Sequence, residues 1–155
     1  MNEAIVRVLV VDDFDPWRQQ VCSILGARPE LRVIAEALDG LEAVQKAAEL
    51  QPNLILLDIG LPGVNGIEAA RRIRKLSPES KIIFVSQECT AEVMQEALDL
   101  GALGFVVKAN AATELLAAME SALEGSPYIG MGLSGRFSDA RQSHASSLNF
   151  DPVPE

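Results

Sequence analysis

An α/β fold, with a parallel sheet covered by helices on both faces, is what the chain predicts, and two observations predict it. Five short runs rich in Val, Ile and Leu alternate with five stretches of helical periodicity, at spacings of roughly 20 to 25 residues. Most of the apolar runs end abruptly in a residue that carries chemistry: Asp12 and Asp13, Asp58, Ser86 and Lys108. Parallel strands buried on both faces read as continuous apolar runs, and their carboxyl ends form the edge where ligands bind.

The first strand is read at 7–11 (Arg-Val-Leu-Val-Val), closed by the acids Asp12 and Asp13. Asp15 as N-cap and Pro16 at the first helical position open a helix that buries Trp17, Val21, Ile24 and Leu25 and stops at Gly26. A strand follows at 31–37, then Asp39-Gly40 as a turn and a helix at 41–50 with Val44 and Ala47 inward, ended by Pro52. The run 54–57 (Leu-Ile-Leu-Leu) is the central strand, ending in Asp58 and a loop that carries Pro62, Gly63 and Gly66. A helix at 67–76 turns Ile67, Ala70 and Ile73 inward and leaves Arg71, Arg72, Arg74 and Lys75 as a solvated face. Strand four is read at 81–85 before Ser86, a helix at 91–100, strand five at 105–107 before Lys108, and a last helix at 111–124 with Leu115, Leu116, Met119 and Leu123 as its buried stripe. Right-handed crossovers between such strands leave few topologies.

At 155 residues the chain fits one domain with a substantial core, read here as 4–125, and the polar, Gly- and Ser-rich segment 126–155 reads as a tail or linker remnant. A net charge of −9 opposes non-specific binding to nucleic acid, so no direct DNA binding by this chain is expected. No apolar stretch approaches the roughly 18 residues of a membrane span, and the first residues lack a signal peptide's basic end and apolar core, so a cytoplasmic location is expected. Cys22 and Cys89 have no metal spacing and read as reduced thiols.

Three carboxylates gathered at one edge would raise one another's pKa unless a cation joins them. A bound metal is the economical answer. An all-oxygen donor set favours a hard ion, and a site with few protein ligands and room for water and phosphate favours Mg²⁺ over Ca²⁺. Lys108 and Ser86, facing the same place, suit the oxygens of a phosphoryl group, with Asp58 as the carboxylate nucleophile at the end of the central strand.

Over about residues 5 to 125 the chain resembles the receiver domains of two-component response regulators, through Val10-Val11-Asp12-Asp13, Leu57-Asp58-Ile59-Gly60-Leu61-Pro62-Gly63, Val85-Ser86 and the run from Gly101 to Lys108. The resemblance implies a flavodoxin-like, doubly wound five-stranded parallel sheet in the order 2-1-3-4-5 with five helices. It implies phosphoryl transfer from a histidine kinase or phosphotransfer protein to Asp58. It also implies Mg²⁺ held by Asp13, Asp58 and the Gly60 carbonyl, with Asp12 acting largely through water, and Lys108 on the phosphoryl oxygens. Ser86 and Phe105 would form the switch that remodels the surface of helix four, strand five and helix five, through which phosphorylation-dependent homodimers are a family expectation. Such a receiver is not an enzyme in the ordinary sense, catalysing only its own phosphorylation and dephosphorylation.

Gly60 departs from the family pattern, since relatives often carry a larger side chain there, and its absence opens access for water to the acceptor. The loop after Asp58 and the junction at 124–128 resemble the NarL/FixJ-like branch, whose receivers precede a helix-turn-helix DNA-binding domain. No such basic module follows here, so the chain reads as a stand-alone receiver or as a fragment of a longer regulator. Rival readings fit less well. A haloacid dehalogenase-type phosphatase wants a second acid where Gly60 stands. A dinucleotide site wants Gly-x-Gly-x-x-Gly where the chain has Asp-Asp-Phe-Asp. A flavodoxin wants a hydroxyl-rich loop at the same place, and a cobalamin domain wants a His after the strand-end Asp. A dead-site structural receiver is opposed by the complete acid, hydroxyl and lysine set. The sole histidine, His144, lies in the tail and reads as solvent-exposed.

Overall fold

The computed structural model describes residues 5–87 and 90–130. The readings for Cys89, His144 and most of the tail therefore lie outside the described residues. Six strands, β1 (Val6–Val11), β2 (Leu31–Ala37), β3 (Leu54–Leu57), β4 (Lys81–Ser86), β5 (Gly104–Val107) and β6 (Tyr128–Ile129), form one sheet in the order β2-β1-β3-β4-β5-β6. Every neighbouring pair is parallel. The helices α1 (Asp15–Leu25), α2 (Gly40–Leu50), α3 (Gly66–Leu76), α4 (Ala91–Asp99) and α5 (Ala111–Leu123) connect them.

Strand residues alternate between two cores, as a period of two requires. Leu9, Val11, Ile55, Leu57, Ile82 and Phe84 pack with the apolar faces of α2, α3 and α4. Val8, Val10, Leu54, Leu56, Ile83 and Val85 pack with those of α1 and α5. All four residues of β3 are buried, so the central strand has no solvent face and its position is fixed from both sides.

Three expectations need correction. The sheet has a sixth strand rather than five: Tyr128 donates to the Leu103 carbonyl at 3.0 Å and Gly130 to the Phe105 carbonyl at 2.9 Å, which seats β6 on the edge of β5. The strand lies past residue 125, inside the segment read as tail. The N-cap of α1 is Phe14 rather than Asp15, with Asp15 as the first helical residue. The Phe14 N–H is already taken by Asp12 Oδ1 at 2.9 Å, and the Asp15 carboxylate instead receives Arg18 and Gln19. On α5 the small residues Ala111, Ala118 and Ala122 join Leu115 and Met119 in the core, while Leu116 is half-buried and Leu123 is exposed. Small residues thus supply three positions of the buried stripe, and Leu123 falls to one side of it.

Candidate functional site

Because β1 and β3 are paired neighbours with Val11 opposite Leu57, the residues that follow each strand emerge side by side. The Asp58 N–H donates to the Val11 carbonyl at 3.1 Å, which anchors this residue to the end of β1. One carboxylate oxygen from each of Asp12, Asp13 and Asp58 lies within 4.8 Å of the others. Asp12 is fully buried, Asp58 is 8% exposed and Asp13 faces solvent. The three acids thus run from the interior to the mouth of a cleft of about 760 Å³, whose lining includes Trp17, Gly60, Gln87 and Lys108.

Lys108 opens a single turn of 3₁₀-helix (Lys108–Asn110) beyond β5. Its Nζ stands 2.5 Å from Asp12 Oδ2 and 3.9 Å from Asp58 Oδ2. Among the described residues that ammonium is the partner of Asp12 Oδ2, which meets no other donor. The same nitrogen lies 5.2 Å from the centre of the Trp17 ring. Burial, and then the Asp12 charge, push the Asp58 carboxyl above the ordinary carboxylate range, while Lys108 and the N–H groups of Gly60 and Ile59 pull the other way. One ammonium among three carboxylates leaves an anionic, all-oxygen cluster, and this donor set fits a hard divalent cation.

The structure thus brings Asp12, Asp13, Asp58, Gly60 and Lys108 into one cleft. Ser86 stands apart from that lining, buried at the end of β4 and paired in register with Val107. Phe105 is 1% exposed and lies deep in the core, its ring 5.9 Å from Phe84 and tilted by 38°. A Cβ at Gly60 would meet nothing within 4 Å, so the approach to Asp58 is open on that side.

Sequence reasoning missed two residues. Arg18, on α1, donates to the Asp12 carbonyl at 2.9 Å and to Asp15 and Glu36 at 2.7 Å each, tying the end of β1 to α1 and β2. Trp17 was read only as core, although its ring also meets Lys108.

A comparison with family models matches residues 8–120 to the response regulator receiver domain. The chain belongs to this family. Among curated proteins, this receiver is 33% identical to the transcriptional regulatory protein LiaR of Bacillus subtilis, over 96% of this chain and 71% of LiaR. It is 42% identical to a protein-glutamate methylesterase/protein-glutamine glutaminase of Thermotoga maritima, over 74% of this chain but only 34% of that protein. Among solved structures, a LuxR-family two-component response regulator from Aurantimonas sp. aligns with a TM-score of 0.84 at 29% identity, covering 90% of this chain and 99% of that one. The response regulator domain of Thermotoga maritima CheB aligns at 0.73 and 38% identity, covering 79% of this chain and 99% of the other. The chain therefore covers nearly the full length of these solved structures but only part of several longer relatives. No helix among the described residues is long and apolar enough to cross a membrane.

The raised pKa of Asp58 makes stability depend on pH. The pKa of Asp58 is raised in the fold, so between the unfolded value and the raised one the native state holds a proton that the unfolded chain has lost. Stability therefore falls as pH rises through that window and stays lower above it. Asp58→Asn, neutral and of the same shape, removes this penalty. In metal-free buffer it is expected to melt a few degrees above the wild type at pH 7.5, and the gap should close below about pH 4, where both side chains are uncharged. Melting followed by circular dichroism across pH reads this directly; a gap that persists unchanged in acid would assign the effect to packing instead.

Proposed function

We propose that this receiver accepts a phosphoryl group on Asp58 from the phosphohistidine of a histidine kinase or phosphotransfer protein, in a Mg²⁺-dependent reaction. The observation that carries the reading is the trio Asp12, Asp13 and Asp58 around one ammonium in an open cleft. In this reading Asp13, Asp58 and the Gly60 carbonyl hold Mg²⁺, with Asp12 acting largely through water, and the ion supplies neutralisation of the charge on the transferred group. Asp58 attacks phosphorus, and the P–N bond to the donor imidazole breaks as the new P–O bond forms. Lys108 follows the phosphoryl oxygens, which lie beyond the Asp58 carboxylate on the cleft side.

Ser86, buried one strand away, turns its hydroxyl toward the phosphoryl group and repacks its neighbours on β4 and β5. Because Phe105 already lies inward against Phe84 in this structure, a switch at this aromatic means repacking around a buried ring. The altered surface of α4, β5 and α5 is the output, engaging a downstream partner or a second copy of the chain in the cytoplasm. The chain catalyses only its own phosphorylation and dephosphorylation.

Incubation with acetyl phosphate and Mg²⁺ tests the proposal. Intact-mass measurement is expected to show a gain of one phosphoryl group that is absent with chelator and absent in Asp58→Ala. Turnover of varied phosphate esters would mark a phosphatase instead, and no gain at all would leave a structural module.

A further inference from the structure

We infer that Trp17 is a positioning residue for Lys108, and that it tightens Mg²⁺ binding by giving the ammonium a place to go when a hydrated divalent ion settles beside Asp12. The inference rests on the magnesium reading of the acidic trio. It begins from a competition visible in the cleft. Lys108 Nζ sits 2.5 Å from Asp12 Oδ2, on one of the three carboxylates that would face the ion. A divalent ion held by Asp13 and Asp58, and reaching Asp12 through water, would strongly repel an ammonium this close at a buried site. Moving to Asp58, 3.9 Å away, brings no relief, because Asp58 belongs to the same trio.

The remaining neighbour is the Trp17 indole. Its centre is 5.2 Å from the ammonium, inside the range of about 6 Å over which a ring face attracts a cation. The amine thus has a closer approach to the ring available to it than the one it makes while paired with Asp12. Trp17 is 7% exposed and its ring lines the same cleft, so the interaction is largely shielded from water. No cation other than Lys108 lines the cleft among the described residues, and its other polar side chains are Asp13, Gln20 and Gln87. When a metal neutralises Asp12, the indole face is therefore the attractive surface left to the amine. The ring stabilises the metal-bound arrangement more than the metal-free one.

Calorimetric titration of Mg²⁺ into five proteins tests this: wild type, Trp17→Phe, Trp17→Leu, Lys108→Ala and the double variant Trp17→Leu/Lys108→Ala. Trp17→Leu is expected to weaken Mg²⁺ binding about two- to five-fold, and Trp17→Phe by less, since a phenyl face is a poorer partner than an indole. Lys108→Ala should bind Mg²⁺ more tightly than the wild type, and the double variant should match Lys108→Ala. A Trp17 that acts only through packing would change affinity by the same factor with and without Lys108, and that result overturns the inference. So does unchanged affinity in Trp17→Leu. Should Trp17→Leu fail to fold, as its melt would show, Trp17→Phe with and without Lys108 completes the same cycle. A wild type that takes up no Mg²⁺ overturns the reading of the site itself, and is told apart from failure of the Trp17 role by that single titration.

Discussion

Lys108→Ala is expected to take up phosphoryl groups from acetyl phosphate about 100-fold more slowly than the wild type, and to melt roughly 10 °C lower in metal-free buffer. The two losses have different causes. Asp12 is fully buried and, among the described residues, its Oδ2 meets no donor other than the Lys108 ammonium, so removing the lysine strands a carboxylate in the interior. Breaking one side of a buried pair costs about 3 kcal/mol, because the remaining charge has lost its compensation. The slower uptake has a separate origin: without Lys108 the proposed reaction lacks the fixed positive charge beside the oxygens of the transferred group. Mg²⁺ separates the two effects. Saturating metal should recover most of the melting temperature, since a divalent ion at the trio replaces the lost countercharge on Asp12. It should not recover the rate. A variant whose rate returns with its stability would show that Lys108 serves the fold alone.

The alternation of strands and helices was legible because the signals were long and redundant. Leu54–Leu57 is buried on both sides, and a strand in that position has no reason to carry polar residues. Helix limits fell within a residue or two of Gly26, Pro52 and Gly101, where backbone chemistry interrupts the pattern. The acids were legible only jointly: a single Asp after an apolar run is often a loop cap, but fitting residue types at the ends of several strands point to one edge. What the sequence withheld was relative depth. Asp12 and Asp13 are adjacent and chemically identical, yet one is buried against Lys108 and the other faces solvent. Successive side chains point to opposite faces, and only the packed fold, with β1 held between β2 and β3, shows which of the two faces inward.

The sixth strand was hidden for a different reason. Tyr128–Ile129 is too short to show any period and is framed by Pro127 and Gly130, so its local chemistry reads as a loop. It becomes a strand because the edge of β5 offers unpaired backbone groups, a tertiary cause with no local trace. Trp17 was hidden by being correct: it does pack in the core, and the helical stripe that placed it there says nothing of the ring's second neighbour.

Three glycines in the loop that follows Asp58 should respond to alanine in three different ways, and Gly66 should respond most. Gly66 opens α3, its N–H donating to the Ile59 carbonyl at 2.8 Å, while Asn65 caps the helix by accepting from the Glu68 N–H at 2.9 Å. A Cβ at Gly66 would lie 2.6 Å from the Ile59 Cα and closer still to the Asp58 carbonyl oxygen. Both are backbone atoms of the segment that directly follows β3, pinned by the hydrogen bonds of the Asp58 N–H to Val11 and of the Gly66 N–H to Ile59, so neither can yield cheaply. Gly66→Ala must therefore push α3 away from the sheet or displace Asp58. Overpacking of this kind costs about 3 kcal/mol, a fall in melting temperature of roughly 10 °C, and a shift of the acceptor by even about 1 Å is enough to slow phosphoryl uptake on the order of 100-fold. Gly63→Ala should cost about 1 kcal/mol, since its φ of 70° is strained for a residue with a side chain although no atom blocks it. Gly60→Ala, with nothing within 4 Å of the added carbon, should leave stability within about 0.5 kcal/mol of the wild type. Thermal melts and initial rates with acetyl phosphate on the three variants check the ordering. Equal effects at Gly66 and Gly60 would show that the contact between α3 and the acceptor's backbone does not hold Asp58 in place.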